Sequence, residues 1–230
     1  YARASGEGGA SRADEGQRLP VLSDRQAPAP LVPECHAFDV PRRAGSNEQV
    51  GLVLWRYRNK VEFRNSHDGM RQARSILLIH AFGQSAVSFA EPTQDVNLAE
   101  FLHRRGWDVW LIEHRISIGL PSASQQCSMD EIARFDLPVA LRRCLHEIAR
   151  EHPEASGRPL QMFALAQCVG AASLAMSILG GELAAGGVHA PTATPPEHVG
   201  YQSRHRSLLA GVVLSQFTPY VIGDAGSQVR

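Results

Sequence analysis

The stretch from Leu160 to Leu179, LQMFALAQCVGAASLAMSIL, constrains the fold more than any other. Its first part is an apolar run of the kind expected of a buried strand, carrying Phe163 and Leu165. Its last part has helical spacing, with Leu174, Ile178 and Leu179 expected on one face. Between them, Ala166, Gln167, Cys168, Val169 and Gly170 read small-x-nucleophile-x-small. A strand-to-helix turn this tight drives its central residue to positive φ and crowds the two flanking positions, which must then be small. Such a turn holds its central side chain at the carboxyl end of a sheet and at the positive end of a helix. That end favours a thiolate, and the Val169 N–H is available to an oxyanion. Ala-x-Cys-x-Gly is a loose pattern, and a cysteine buried in a strand-to-helix turn is its other reading.

The chain has 230 residues, enough for one sizeable core. Its 23 basic and 23 acidic residues cancel, so no field favours nucleic acid or an anionic membrane. No apolar run reaches the ~20 residues of a membrane span, and no signal-peptide pattern opens the chain. Cys35, Cys127, Cys144 and Cys168 have no C-x-x-C spacing. A reducing, cytoplasmic setting is the default expectation for such cysteines. No metal-ligand cluster, Gly-rich phosphate loop or dinucleotide fingerprint is present in the sequence.

Residues 1–34, rich in Gly, Ala, Arg, Pro and Ser, read as a flexible linker or tail. From residue 35 the pattern changes. Val50 to Arg58 (VGLVLWRYR) is an expected strand, Asn65 to Arg74 an expected loop, and Ser75 to His80 (SILLIH) a parallel strand buried on both faces. Asp95 to Arg105 has helical spacing, with Leu98, Phe101 and Leu102 on one face and Gly106 to terminate it. Trp107 to Ile112 is the next strand, and strand–helix–strand predicts a right-handed parallel crossover. Glu113, His114 and Arg115 follow at its carboxyl end, where ligands gather in parallel sheets; a structural ion pair is the favoured role of Arg115.

Ser128-Met-Asp-Glu131 has the form of a capping box. Leu137, Leu141, Cys144, Leu145 and Ile148 mark a helical stripe that assigns Cys144 to the core, and Pro138 is accommodated if the helix begins afresh near Asp136. About 180–205 reads as an insertion loop, and Leu208 to Leu214 as a further strand. This alternation argues for a doubly wound α/β sheet with antiparallel strands at its start.

With these residues assembled, Val50 to Val221 resembles the α/β-hydrolase family, and within it the hydrolase-like domain fused to flavin-dependent glucose-methanol-choline oxidoreductases of cholesterol oxidase-like type. The stretches that carry the resemblance are LLIHAFGQS (77–85), NLAEFLHRRGWDVWLIEHR (97–115), ARFDLPVA (133–140), AQCVGAASLAMSILGG (166–181) and GVVLSQFTPYV (211–221). Polyester synthases, which also carry a cysteine at a Gly-x-Cys-x-Gly turn, are more distant relatives.

The resemblance implies an α/β-hydrolase-like, mostly parallel sheet, here the N-terminal portion of a domain that ends after about strand six. It implies Cys168 as nucleophile towards an ester or thioester of a small or lipid-like molecule, with the Val169 and Phe82 N–H groups as oxyanion donors. Gln167 and Gly170 support the turn. His80 and Gly83 support the loop after the 75–80 strand, although His80 serving only to cap that strand is an equal reading. No cofactor is implied in this chain; FAD would belong to a fused or associated oxidoreductase domain.

Three positions depart from the family pattern: Ala81 stands for the glycine of His-Gly, Gln167 stands where relatives often carry His, and Ala166 replaces a glycine. The acid and His of the triad are expected after later strands. Downstream of Cys168 only His189, His198, His205 and Asp224 are candidates, and none stands where the family base would. The chain alone is therefore expected to lack full catalytic competence. The alternative function is a non-catalytic lipid- or sterol-binding domain.

Overall fold

The computed structural model describes residues 31–67, 69–93, 95–155, 158–184 and 207–216. Seven strands form one sheet: β1 (Glu34–Pro41), β2 (Gln49–Tyr57), β3 (Phe63–Asn65), β4 (Arg71–Ile79), β5 (Asp108–Glu113), β6 (Leu160–Gln167) and β7 (Leu209–Ser215). Their order is β1-β2-β5-β4-β6-β7, with the short β3 paired antiparallel to β4 off this path. β1, β2 and β5 are antiparallel neighbours, whereas β5, β4, β6 and β7 run parallel. The sheet is therefore mostly parallel with antiparallel strands at its start, as expected of an α/β-hydrolase-like chain.

Among the described residues four α-helices accompany it: α1 (Leu98–Arg104), the single turn α2 (Met129–Glu131), α3 (Leu137–Glu151) and α4 (Val169–Leu179). Side chains alternate across a strand, so a strand covered on both sides reads as a continuous apolar run. Ile76 and Leu78 of β4, with Val109 and Leu111 of β5, pack beneath α1. Leu77, Ile79, Trp110 and Ile112 face the other way, under Leu141, Cys144 and Ile148 of α3 and Ala171 and Leu174 of α4. This arrangement is doubly wound, and each fully buried large apolar side chain contributes about 1.5–3 kcal/mol. No helix among the described residues is long and apolar enough to cross a membrane.

Several expectations are corrected. Strand β1 was not foreseen, and the segment expected to be a loop over 65–74 contains the end of β3 and the first residues of β4. The buried side of α4 consists of Gly170, Ala171, Ser173, Leu174 and Ser177, while Ile178 and Leu179 are exposed. Small residues line that face because the helix approaches the sheet closely. Nor does a helix begin afresh at Asp136, which has helical φ −65° and ψ −55°. The chain instead runs from the Ser128 capping box through a π turn at Ile132–Asp136 into α3.

The π turn follows from Pro138. The Leu137 N–H donates to Ile132 O, five residues back. The next donor in that series would be residue 138, which as proline has no N–H. The buried Ala133 carbonyl is thus left without a backbone donor, and the buried Ser177 hydroxyl of α4 supplies one. A local sequence defect becomes a bond between two helices.

The buried charges are paired. Arg56, fully buried, donates Nε to Asp108 Oδ1 at 2.9 Å and Nη1 to Glu151 at 2.8 Å, and lies 4.6 Å over the Trp110 ring. Arg115 grips Asp136 through Nε and Nη2, the latter at 2.6 Å, and also donates to the carbonyls of Pro41 and Arg42. It is thus a structural ion pair, as expected from the sequence.

Candidate active site

Cys168 joins β6 to α4 with φ 51° and ψ −117°. In the described chain only Cys168 and Gln216 are non-glycine residues at positive φ. A non-glycine residue held there is strained by about 1–3 kcal/mol and persists only where its surroundings fix it. They do: the Cys168 N–H donates to Ser215 O of β7 at 3.0 Å, and the Cys168 carbonyl accepts from the Ala172 N–H at 3.0 Å. One residue therefore ends the strand ladder and opens the helix, leaving its thiol exposed. The Cys168 side chain makes no capping hydrogen bond to the first turn of α4.

The flanking residues are small for identifiable reasons. Ala166 is fully buried beneath α4 and α3, level with Ile79 of β4 and Leu214 of β7. A Cβ on Gly170 would lie 2.6 Å from His80 O, 2.8 Å from Ile79 Cγ2 and 3.0 Å from Ile79 O. The first turn of α4 therefore rests directly on the end of β4. Gln167 is half-buried, and its Nε2 reaches Gln216 Oε1 at 3.4 Å. Val169, the first helical residue, has no carbonyl one turn earlier to receive its N–H.

The loop after β4 lies beside this turn. His80 and Ala81 are buried, and Phe82 is 71% exposed. Gly83 has φ 68°, a conformation that glycine adopts without penalty. The Phe82 N–H donates to no backbone carbonyl among the described residues. His80 Nδ1–H donates to Ala81 O at 2.8 Å, and its ring stacks on His114 at 3.8 Å between centroids and 15° between planes. His114 Nε2–H donates to His80 O at 3.2 Å. Burial pushes the His80 pKa below the ordinary imidazole range, against the pull of Ala81 O and Glu113. Burial, then the neighbouring His80 and Arg115 charges, push His114 down to about 3 despite its bond to His80 O.

Sequence reasoning missed what lies beneath this loop. Glu113, at the end of β5 and nearly buried, accepts the Ala86 N–H at 3.0 Å and the Ser117 hydroxyl, and its Oε2 lies 3.7 Å from His80 Nε2. The sequence signal was present, since Glu113-His114 follows a fully buried strand. Its meaning depended on β5 pairing with β4.

Cys144 is fully buried and its thiol pKa is pushed well up by that burial, consistent with a core role. His189, His198, His205 and Asp224 lie outside the described residues. The cavity of about 320 Å³ lined by Asn65, Arg71, Glu154, Ala155 and Arg158 lies at the start of β4 and β6, the end of the sheet away from Cys168.

Neither a protein-family model nor a curated protein matches the chain. Among solved structures it is similar to the peroxisomal α/β-hydrolase Lpx1 of Saccharomyces cerevisiae, at 16% identity and TM-score 0.37, over 63% of this chain and 39% of that one. It is also similar to the siderophore hydrolase EstB of Aspergillus fumigatus, at 16% identity and TM-score 0.37, over 71% of this chain and 38% of that one. The chain thus spans less than two-fifths of the length of either.

Proposed function

We propose that this domain carries an acyl-transfer site of α/β-hydrolase type, with Cys168 as nucleophile towards an ester or thioester. The reading is carried by one observation: an exposed cysteine at φ 51° where a parallel strand meets a helix, seated on Gly170 against the end of β4. In this chemistry the sulfur adds to the acyl carbon, and the oxyanion forms opposite the Val169 and Phe82 N–H groups. Collapse breaks the bond to the alcohol or thiol, leaving an S-acyl cysteine that water hydrolyses. The thiol proton passes to an imidazole base, which the family places on a later loop.

The first half of this cycle is testable without that base. A p-nitrophenyl ester has a leaving group that needs no protonation, and Cys35 is a second exposed thiol in the same chain, placed in a strand away from any such turn. We expect the Cys168 peptide to gain one acyl group faster than the Cys35 peptide, after both rates are divided by those for iodoacetamide. Equal normalised rates refute the reading. Cys168→Ala abolishes the fast phase.

A second reading is favoured by Ala81 and Gln167, which depart from the family pattern in the loop and turn themselves. In it the domain holds a lipid-like or sterol-like molecule for a fused flavin oxidoreductase and turns nothing over. It predicts no advantage for Cys168 and saturable binding of a sterol ester unaffected by Cys168→Ala. A polyester-synthase relative would instead extend the S-acyl group with hydroxyacyl thioesters.

A further inference from the structure

We propose that Glu113 is a positioning residue for the Phe82 amide, acting from beneath the loop through Ala86 and Ser117. The inference rests on the reading of Phe82 as an oxyanion donor. Phe82 projects into solvent, so its own side chain cannot fix the orientation of its peptide. The backbone on either side must do so, and both sides lead to the end of β5.

Upstream, His80 O accepts from the His114 Nε2–H at 3.2 Å, and the His80 ring stacks on the His114 ring at the end of β5. The same carbonyl is the surface on which Gly170 rests. The peptide that precedes the loop and the turn that holds Cys168 therefore share one reference atom. Downstream, Ala86 N–H donates to Glu113 Oε2 at 3.0 Å, and Gln84 O accepts from the Ile118 N–H at 3.1 Å. Ser117 donates its hydroxyl to that same carboxylate oxygen. The Gly119 N–H in turn donates to Ser117 Oγ at 3.2 Å.

A carboxylate oxygen suits this junction because it accepts several donors at once, and because nearly buried charge is stable only when so satisfied. Glutamate rather than aspartate is needed because the contacted Ala86 N–H belongs to the far side of the neighbouring loop. Asp at this position is one methylene too short to keep both the Ala86 and Ser117 bonds. Glutamine retains one oxygen that can receive both.

The test uses the whole chain with Glu113→Asp, Glu113→Gln and Ser117→Ala, and two measurements. The first is the ratio of S-acylation by a p-nitrophenyl ester to alkylation by iodoacetamide at Cys168, since alkylation passes through no oxyanion. The second is amide hydrogen exchange over residues 81–86. We expect Glu113→Asp to lower the ratio by about 10- to 100-fold, the loss that accompanies a misplaced group, with faster exchange at 81–86. Alkylation is unchanged, and Glu113→Gln restores most of the ratio. If Glu113→Asp does not fold, Ser117→Ala decides, with a smaller loss in the same ratio. An unchanged ratio, or acylation and alkylation falling together, overturns the proposal. If the unsubstituted chain does not acylate Cys168, it is the function reading that fails. The exchange rates then judge the positioning alone: unchanged exchange at 81–86 overturns it, and faster exchange supports it.

Discussion

Gly170→Ala tests whether α4 is seated on the end of β4. Within a helix this exchange normally stabilises by up to about 1 kcal/mol, because alanine loses less conformational freedom on folding. Here the added methyl group would lie 2.6 Å from His80 O and 3.0 Å from Ile79 O, as well as 2.8 Å from Ile79 Cγ2. Two of these three atoms are backbone oxygens at the buried carboxyl end of β4, so no rotamer change relieves them. Overpacking of a close-packed site costs about 1–3 kcal/mol, and contacts to backbone belong at the upper end. Offsetting the helical gain leaves a net loss of about 2 kcal/mol, or roughly 4–8 °C in Tm for a chain of this size. Urea unfolding followed by circular dichroism measures it, with the slope unchanged. Ala172→Gly, one turn position away and without such contacts to gain, should lose about 1 kcal/mol from helical propensity alone. A Gly170→Ala chain as stable as the original, or more so, refutes the close approach and with it the geometry assigned to the turn.

Other outcomes follow from the packing around the sheet. Ser177→Ala leaves the buried Ala133 carbonyl without a donor and should cost about 1–3 kcal/mol; adding Pro138→Ala restores an N–H beneath it, so the double variant should recover much of the loss, and additive losses in a double-mutant cycle would contradict the origin given for the π turn. Arg56→Leu strands the buried Asp108 carboxylate and should cost about 3–5 kcal/mol in urea unfolding, part of it returned by Asp108→Asn; a loss below about 1 kcal/mol counts against the network. His114 binds a proton in the folded state only near pH 3, whereas the unfolded chain takes it up near the ordinary value of about 6.5. Its contribution is therefore present above that value and drains as pH falls, by roughly 2 kcal/mol at pH 5. His114→Gln should show a smaller loss between pH 7 and 5, and an identical loss would disprove the assignment.

The turn at Cys168 was legible because its determinants are local: a strand pattern, two small residues and a helical pattern within one stretch. The Ser128 capping box and the Cys144 stripe were legible for the same reason. Features that needed a second strand were not. Glu34–Pro41 places His36 and Phe38 on one face with Asp39 next to them in sequence, and only pairing with β2 makes it a strand. Arg71 and Arg74 read as loop because their charge outweighs the single inward Ala73, although β3 pairs beside them. The inward face of α4 was misjudged because hydrophobicity points to Ile178 and Leu179, whereas proximity to the sheet selects Gly170, Ser173 and Ser177. The His80–His114 stack and its carboxylate become visible only when Ile79 is placed level with Ile112.

The bond from Cys168 N–H to Ser215 O spans forty-seven positions of chain, and the turn depends on it. During synthesis the ribosome delivers the sulfur well before the carbonyl that fixes its backbone. A nascent chain that has emerged only as far as α4 thus carries this thiol on an unfixed peptide. Of the two backbone bonds that fix it, the one to Ser215 O forms only after β7 has cleared the exit tunnel and docked.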